Sequence, residues 1–477
     1  MITSDRMAVV DRNATALGVS QRQLMESAGN AVARAVRAHS DPDDAVTVVA
    51  GRGNNGGDGF AAARFLADRD VTVALLGRPE SITGGAARAN WEALQSAEIE
   101  TERVRDSTAL DLGDPSVVVD AVLGTGVTGA PREPERTAIR AIDEHEAAVV
   151  SVDVPSGMDV DTGEVVDVAV DPDRIVTFHD LKPGLADRED VTVADIGIPA
   201  AAERFVGPGD RLRLDRPAES HKGDFGRVVI VGGGPYTGAP ALSAQAALRA
   251  GADLAFVSAP ETVASEIQGY AADLIVQALP GDRLEPRHVD ALLERAASGD
   301  VVLLGPGLGD AEATLDAVRE FLAEFSGTAV VDADALQAVP GVETDATLVC
   351  TPHQGELAEM GGPQADDWEH RADRLADFAA DLGHALLVKG RYDVISDGET
   401  TRVNRTGNPG MTVGGTGDVL AGAVAALAAR LDPVDAAGLG AYANGLAGDR
   451  VVEERGYGLV ASDLLGELPG ALWGDRR

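Results

Sequence analysis

Residues 46–76 read VTVVAGRGNNGGDGFAAARFLADRDVTVALL: an apolar run (Val46–Ala50), a glycine-rich loop (Gly51–Gly59), a helical stretch to about Ala67 and a second apolar run (Val71–Leu76). Strand, turn, helix, strand is the order of a βαβ unit, so the two runs lie parallel in a sheet covered by helices. The pattern extends outward from there. Upstream, Ser20 and Gln23 form a capping box, followed by Leu24, Ala28, Val32 and Val36 on one helical face. Downstream, strand-like runs at Val117–Leu123 and Ala148–Val152 each end in a polar loop. The stretch Ile198–Ser220, punctuated by Pro199, Pro208 and Pro217, closes this series before a new one starts at Arg227. The fold class is α/β, and the 477 residues divide into two domains, 1–215 and 216–477.

Composition narrows the function. A net charge of −38 excludes nucleic acid and anionic membranes as partners, because their phosphates are repelled over most of the surface. The longest apolar runs, such as Val419–Ala429, fall short of the roughly 18 residues of a membrane span. The start of the chain has no basic-then-apolar signal, which points to a cytoplasmic protein. Of the 40 basic residues only Lys182, Lys222 and Lys389 are lysines. Acid excess, scarce lysine and 4% aromatic residues together describe a surface adapted to concentrated salt, that of a halophile. A lysine that persists in such a chain does something arginine cannot. The single cysteine, Cys350, precludes an internal disulfide and ends the apolar run ATLVC, which assigns it to the core.

In the first half, Gly51, Gly53 and Gly56 satisfy G-x-G-x-x-G formally. The second strand ends Leu75-Leu76-Gly77-Arg78, however, without the acid that a ribose needs, and the loop carries Asn54, Asn55 and Asp58. Those side-chain oxygens suit a use other than pressing bare backbone on a pyrophosphate. Ligands of open parallel sheets bind at the carboxyl ends of strands, so the loops after residues 50, 123 and 152 converge. Asn55, Asp120 and Ser156 then offer amide, carboxylate and hydroxyl oxygens, a hard-cation set, and Asp153 faces the same space, free to move a proton. Taken singly, Asp120 and Asp153 are equally well turn caps.

In order, NNGGDG, DAVLGTG and DVPSG resemble the N-terminal domain of NAD(P)H-hydrate epimerase over residues 1 to about 215. The resemblance implies a Rossmann-like three-layer αβα domain. It places the hydrated nucleotide on Asn54, Asn55, Gly56, Gly57 and Asp58 and on Gly124, Thr125, Gly126, Val127, Thr128, Gly129 and Ala130. It also implies potassium on Asn55, Asp120 and Ser156, with Asp153 as the substrate-facing catalytic acid/base.

In the second half, NPGMTVGGTGDVLAG (Asn408–Gly422) puts a glycine loop before an apolar helix, where free N–H groups and the helix dipole favour a phosphate. Asp418 is explained by its place in the first turn of that helix alone. Facing a hydroxyl, it also serves as the base of phosphoryl transfer. GGTGD resembles the ribokinase-like superfamily. HKGDFGRVVIVGGGPYTGAP, GPGLG, TPHQGE and KGRYDVI narrow the resemblance to the NAD(P)H-hydrate dehydratase branch over about 215–477. It implies a ribokinase-like αβα domain with Ala239, Gly307, His353 and the catalytic Asp418 on the hydrate. Lys389, Gly390, Arg391, Tyr392, Asp393 and Gly417 fall on the adenine nucleotide. The branch has proline where this chain has Gln354, which loosens the placement of His353.

Joined, the two resemblances imply an isomerase fused to a lyase. The first domain interconverts (R)- and (S)-NADHX and NADPHX, and the second dehydrates the (S) form at the expense of ADP with Mg2+. A homo-oligomer is the expected state. The competing reading is a kinase of a small vitamin-like alcohol with a non-catalytic N-terminal binding domain; it predicts a stable phosphorylated product.

Overall fold

The computed structural model describes residues 1–127, 129–365 and 367–474. It consists of two compact units, Met1–Ala202 and Glu203–Arg477.

The first unit holds β1 (Val46–Ala50), β2 (Val71–Leu76), β3 (Glu100–Val104), β4 (Val117–Ala121), β5 (Ala148–Val152), β6 (Arg174–Phe178) and β7 (Val191–Ala194). They form one sheet in the order β3-β2-β1-β4-β5-β6-β7, with every neighbouring pair parallel. Along β1, Val46, Val48 and Ala50 enter one core and Val49 the other, which is why four of its five residues are apolar; the exception, Thr47, is buried and donates its hydroxyl to Leu112 O at 3.0 Å. The order reverses between β1 and β4, and this marks the switch point where such sheets take ligands. Ser20 and Gln23 do form a capping box, at the head of the helix Gln21–Ala38.

The second unit holds β8 (Arg227–Val231), β9 (Leu254–Pro260), β10 (Ile275–Leu279), β11 (Val301–Leu304), β12 (Thr328–Val331), β13 (Thr347–Cys350), β14 (Ala385–Val388), β15 (Asp393–Ser396) and β16 (Thr401–Asn404). The order is β10-β9-β8-β11-β12-β13-β14-β15-β16, parallel as far as β14 and antiparallel after it. Its switch point lies between β8 and β11. Val228 and Ile230 face one helical layer, Val229 and Val231 the other. Cys350 is fully buried, and burial pushes its thiol up to about 12.

The division falls at Ala202–Glu203, ahead of the expected residue 215. The intervening segment packs on the second unit: the Val206 N–H donates to Val403 O at 2.9 Å, and Arg402 pairs with Asp210 at 2.9 Å with both side chains buried. Of the three prolines only Pro208 lies inside this segment; Pro199 precedes it and Pro217 follows it. Among the described residues no helix is long and apolar enough to cross a membrane.

Candidate active sites

In the first unit the stretch after β1 is not a long loop. Only residues 51–53 are irregular, and the helix Asn54–Phe65 starts within NNGGDG. Its glycines make room for protein: a Cβ on Gly56 would lie 2.1 Å from Gly51 O, and one on Gly57 would meet Met25 and Ala87. Asn54 is exposed, whereas Asn55 is buried and donates from Nδ2 to Leu123 O at 2.8 Å. The same carbonyl lies 3.2 Å from Ser156 Oγ, which donates to Asp120 Oδ1 at 2.5 Å. The helix after β1, the end of β4 and the loop after β5 therefore bring Asn55, Asp120 and Ser156 together. Asp120 is fully buried, and its other donors are the Ser151 hydroxyl and the Ser156 and Val122 N–H groups. Burial raises its pKa against the pull of these bonds. A Cβ on Gly124 would lie 3.1 Å from that of Asn55, and Leu123, Gly124, Val127 and Gly129 line a pocket with Pro155 and Met158. Thr125 is half-buried, Gly126 and Ala130 are exposed, and Thr128 lies outside the described residues.

Asp153 follows β5 in the left-handed region, with φ +64°. The Val154 N–H donates to Val152 O at 2.8 Å, so Asp153 is the centre of a tight three-residue turn. Its Oδ1 accepts from Thr177 Oγ1 and the Phe178 N–H, both at 3.1 Å, and from Lys182 Nζ at 2.9 Å. Two further acids stand close. Asp58 is raised well above the usual carboxylate range, first by burial and then by the charges of Asp153 and Asp11. Asp11 is pushed up to about 6 by desolvation of its carboxyl and by Asp153, with Lys182 and His179 opposing. Lys182 and Asp11 complete a group that the motifs did not include. Lysine scarcity was the one signal in the sequence that singled Lys182 out.

In the second unit the loops after β8 and β11 interlock at the switch point. Gly233 N–H donates to Pro306 O at 2.9 Å, and a Cβ on Gly307, where φ is +70°, would lie 3.4 Å from that of Ala239. Ala239 is the second residue of the helix Gly238–Ala250, whose Ser243 Oγ donates to Asp418 O at 2.9 Å. Gly415, with φ +95°, opens the helix Thr416–Ala428, which carries Gly417 and Asp418 in its first turn. Lys389 Nζ reaches toward Gly417, pairs with Asp332 at 3.0 Å and lies 3.7 Å from Glu356. Burial pulls the Lys389 pKa down, but the charges of Asp332 and Glu356 outweigh it and the net shift is upward. Asp418 is pushed up to about 7 by burial and then by the Asp332 charge, with Lys389 opposing. A carboxylate of that pKa is well suited to accepting a proton near neutrality. Asp332 and Glu356 were missed as site residues, although Asp332 directly follows a strand end.

His353 caps the short helix Gln354–Glu359: its Nδ1 accepts from the Glu356 N–H at 3.0 Å, and its own N–H donates to Glu356 at 2.7 Å. Gln354 is the first helical residue, a position that proline fills without losing a hydrogen bond, so the exchange leaves the turn intact. Between β14 and β15, Arg391 is exposed and Tyr392 stacks obliquely on Trp368 at 5.5 Å. Asp393 turns inward, accepting from the Gly390 N–H and Asn404 Nδ2, both at 2.9 Å. It shapes the loop instead of presenting a carboxylate to it. Lys222, the third lysine, is exposed.

Comparison with known proteins covers both units. The family described as NAD(P)H-hydrate dehydratase matches residues 228–470, and that described as YjeF-related protein N-terminus matches residues 21–184. The bifunctional NAD(P)H-hydrate repair enzyme Nnr of Pyrobaculum aerophilum is 47% identical, over 98% of this chain and 97% of its own. Its counterpart in Methanothermobacter thermautotrophicus is 43% identical over 98% and 94%. Among solved structures, the ADP/ATP-dependent NAD(P)H-hydrate dehydratase of Bacillus subtilis, co-crystallised with ATP/Mg2+, matches at 26% identity with a TM-score of 0.49, over 56% of this chain and 97% of that one.

Proposed function

Since the chain belongs to the bifunctional NAD(P)H-hydrate repair enzymes, we infer that it restores hydrated nicotinamide nucleotides through two separate activities. The first unit epimerises (R)- and (S)-NAD(P)HX, and the second dehydrates the (S) form to NAD(P)H. The observation that carries this reading is that each unit sets among its site acids a carboxylate at the carboxyl end of its sheet that can serve as a base, Asp153 after β5 and Asp418 beside the glycine turn.

Epimerisation at C6 of the hydrate requires the C6–N1 bond to open and reclose on the other face. The hydroxyl proton leaves to a base as the carbonyl forms, and a proton returns on closure. Asp153 fills the role of base, and the loop 124–130 with the first turn of the helix Asn54–Phe65 holds the nucleotide. The residues around Leu123 O fit potassium: four oxygen-bearing groups converge, and the buried Asp120 meets only neutral donors among the described residues. Bound there by Asn55, Asp120 and Ser156, the ion supplies a fixed positive charge beside the nucleotide loop.

For dehydration, Asp418 accepts the proton of the C6 hydroxyl as its oxygen attacks the terminal phosphorus of ADP, and AMP leaves. Cleavage of the C6–O bond then expels phosphate, with loss of a proton from the adjacent carbon. Gly417 and Lys389 hold the phosphates, and Mg2+ bound to those phosphates would neutralise their charge. Ala239, Gly307 and His353 border the hydrate. The acid-rich, lysine-poor composition assigns the protein to a halophilic, potassium-rich cytoplasm.

The test is chromatography of mixed (R)- and (S)-NADHX incubated with the pure protein in KCl and Mg2+ with ADP, ATP or no nucleotide. Complete conversion to NADH with ADP is expected. Conversion of only the (S) form leaves the first unit without its activity, and a stable phosphorylated product replaces this reading by the kinase.

A further inference from the structure

Two adjacent strands of the first unit end in the same unusual way. At Asp153, φ is +64° and the Val154 N–H donates to Val152 O at 2.8 Å. At His179, φ is +70° and the Asp180 N–H donates to Phe178 O, also at 2.8 Å. Turns with a hydrogen bond between residues i and i+2 around a positive φ are strained for residues with a side chain and persist only where the surroundings hold them. One side chain spans both turns. Lys182 Nζ donates to Asp153 Oδ1 at 2.9 Å and to Phe178 O at 2.6 Å, and it is fully buried while the Asp153 side chain is 15% exposed. The three donors that Asp153 receives all meet Oδ1, and none meets Oδ2 among the described residues.

We propose that Lys182 is the positioning residue of the epimerisation site: by stapling the two strained turns and saturating Oδ1 of Asp153, it presents Oδ2 to the substrate in a fixed direction. The proposal rests on the epimerase reading of the first unit. A compact ammonium meets both oxygens from within a sealed space, which the planar fork of arginine does not fit, and this accounts for a lysine in a chain that otherwise uses arginine. The charge also offsets a crowd of acids, since Asp11 from the helix Ser4–Ala16 and Asp58 from the helix Asn54–Phe65 both feel Asp153, with His179 beside them.

The experiment follows conversion of (R)- to (S)-NADHX by the full chain without nucleotide, and in parallel dehydration of (S)-NADHX with ADP. Proteins are the wild type, K182M, and K182A with ethylammonium or ethanol added. The expected result is a loss of about a hundredfold in the kcat of epimerisation for K182M, with KM within about twofold of wild type and dehydration unchanged. K182A loses as much and regains at least about tenfold with ethylammonium but not with ethanol, because the charge and its donors are restored and not only the volume. Epimerisation by K182M within about threefold of wild type overturns the proposal. So does equal rescue of K182A by ethanol, which reduces Lys182 to a filler of space. If K182M fails to fold, the K182A pair decides. A wild type that converts (S)-NADHX but never interconverts the epimers removes the epimerase reading itself, and the proposal with it.

Discussion

Asp418, the proposed base of dehydration, is also a destabilising group. Its pKa of about 7, against 3.8 for an ordinary aspartate, means that the folded state binds its proton more tightly than the unfolded chain does. The stabilising contribution is therefore complete below the unfolded value and disappears as pH rises through about 7. As a base the residue works only when ionised, so dehydration should fall roughly tenfold per pH unit on the acid side of its pKa. D418N should abolish dehydration yet melt higher than wild type at pH 8, read by calorimetry. D332N removes the like charge that raises Asp418, so the acid limb of the dehydration profile should move to lower pH; an unmoved limb refutes the coupling. In the first unit, D153N should lower epimerisation by about two to four orders of magnitude and leave dehydration of the (S) form intact. Asp153 and Asp418 were legible in the sequence because each sits in a contiguous motif. Lys182 was marked only by the scarcity of lysine, Glu356 only as part of TPHQGE and Asp332 only by its place after a strand end, while Asp11 carried no signal, because their partners across the site come from distant parts of the chain.

The elements that carry these residues are set by close contact of backbones. The helix Thr416–Ala428 lies so near the helix Gly238–Ala250 that a Cβ on Gly422 would sit 2.0 Å from Ser243 O. The same Ser243 donates to Asp418 O, so the contact that demands glycine at 422 also fixes the turn bearing the base. G422A should cost about 1–3 kcal/mol in the second unit and reduce dehydration, with epimerisation unaffected; denaturant titration and both assays measure it. Strand and helix order was readable because a strand buried on both faces is apolar at nearly every position, and at all of them in β11 and β14. The state of NNGGDG was not. Its glycines suggest a loop, yet Gly56, Gly57 and Gly59 are small because protein packs on them, and the helix begins three residues after Gly51. Likewise the prolines between 198 and 220 suggested a boundary that the pairing of Val206 with Val403 moves upstream.

For the whole molecule the dominant fact is the net charge of −38, with 78 acidic residues against 40 basic ones. Like charges crowded on a folded surface repel, and unfolding spreads them apart, so dilute buffer destabilises the compact state. Added salt shortens the Debye length from about 10 Å at 0.1 M to about 3 Å at 1 M and screens that repulsion. Any salt does this, whereas the oxygen set at Asn55, Asp120 and Ser156, proposed to hold potassium, is expected to distinguish one cation from another. The two effects separate when KCl is replaced by NaCl at constant ionic strength. The thermal midpoint should climb steeply between 0.1 and 2 M of either salt, by similar amounts, because screening depends on ionic strength. Epimerisation should follow potassium specifically, while dehydration, whose site contains no part of that set, follows only the fraction folded. Equal epimerisation in both salts removes the potassium site but leaves the surface argument standing. A midpoint that does not move with salt removes the halophilic reading and leaves the site untouched.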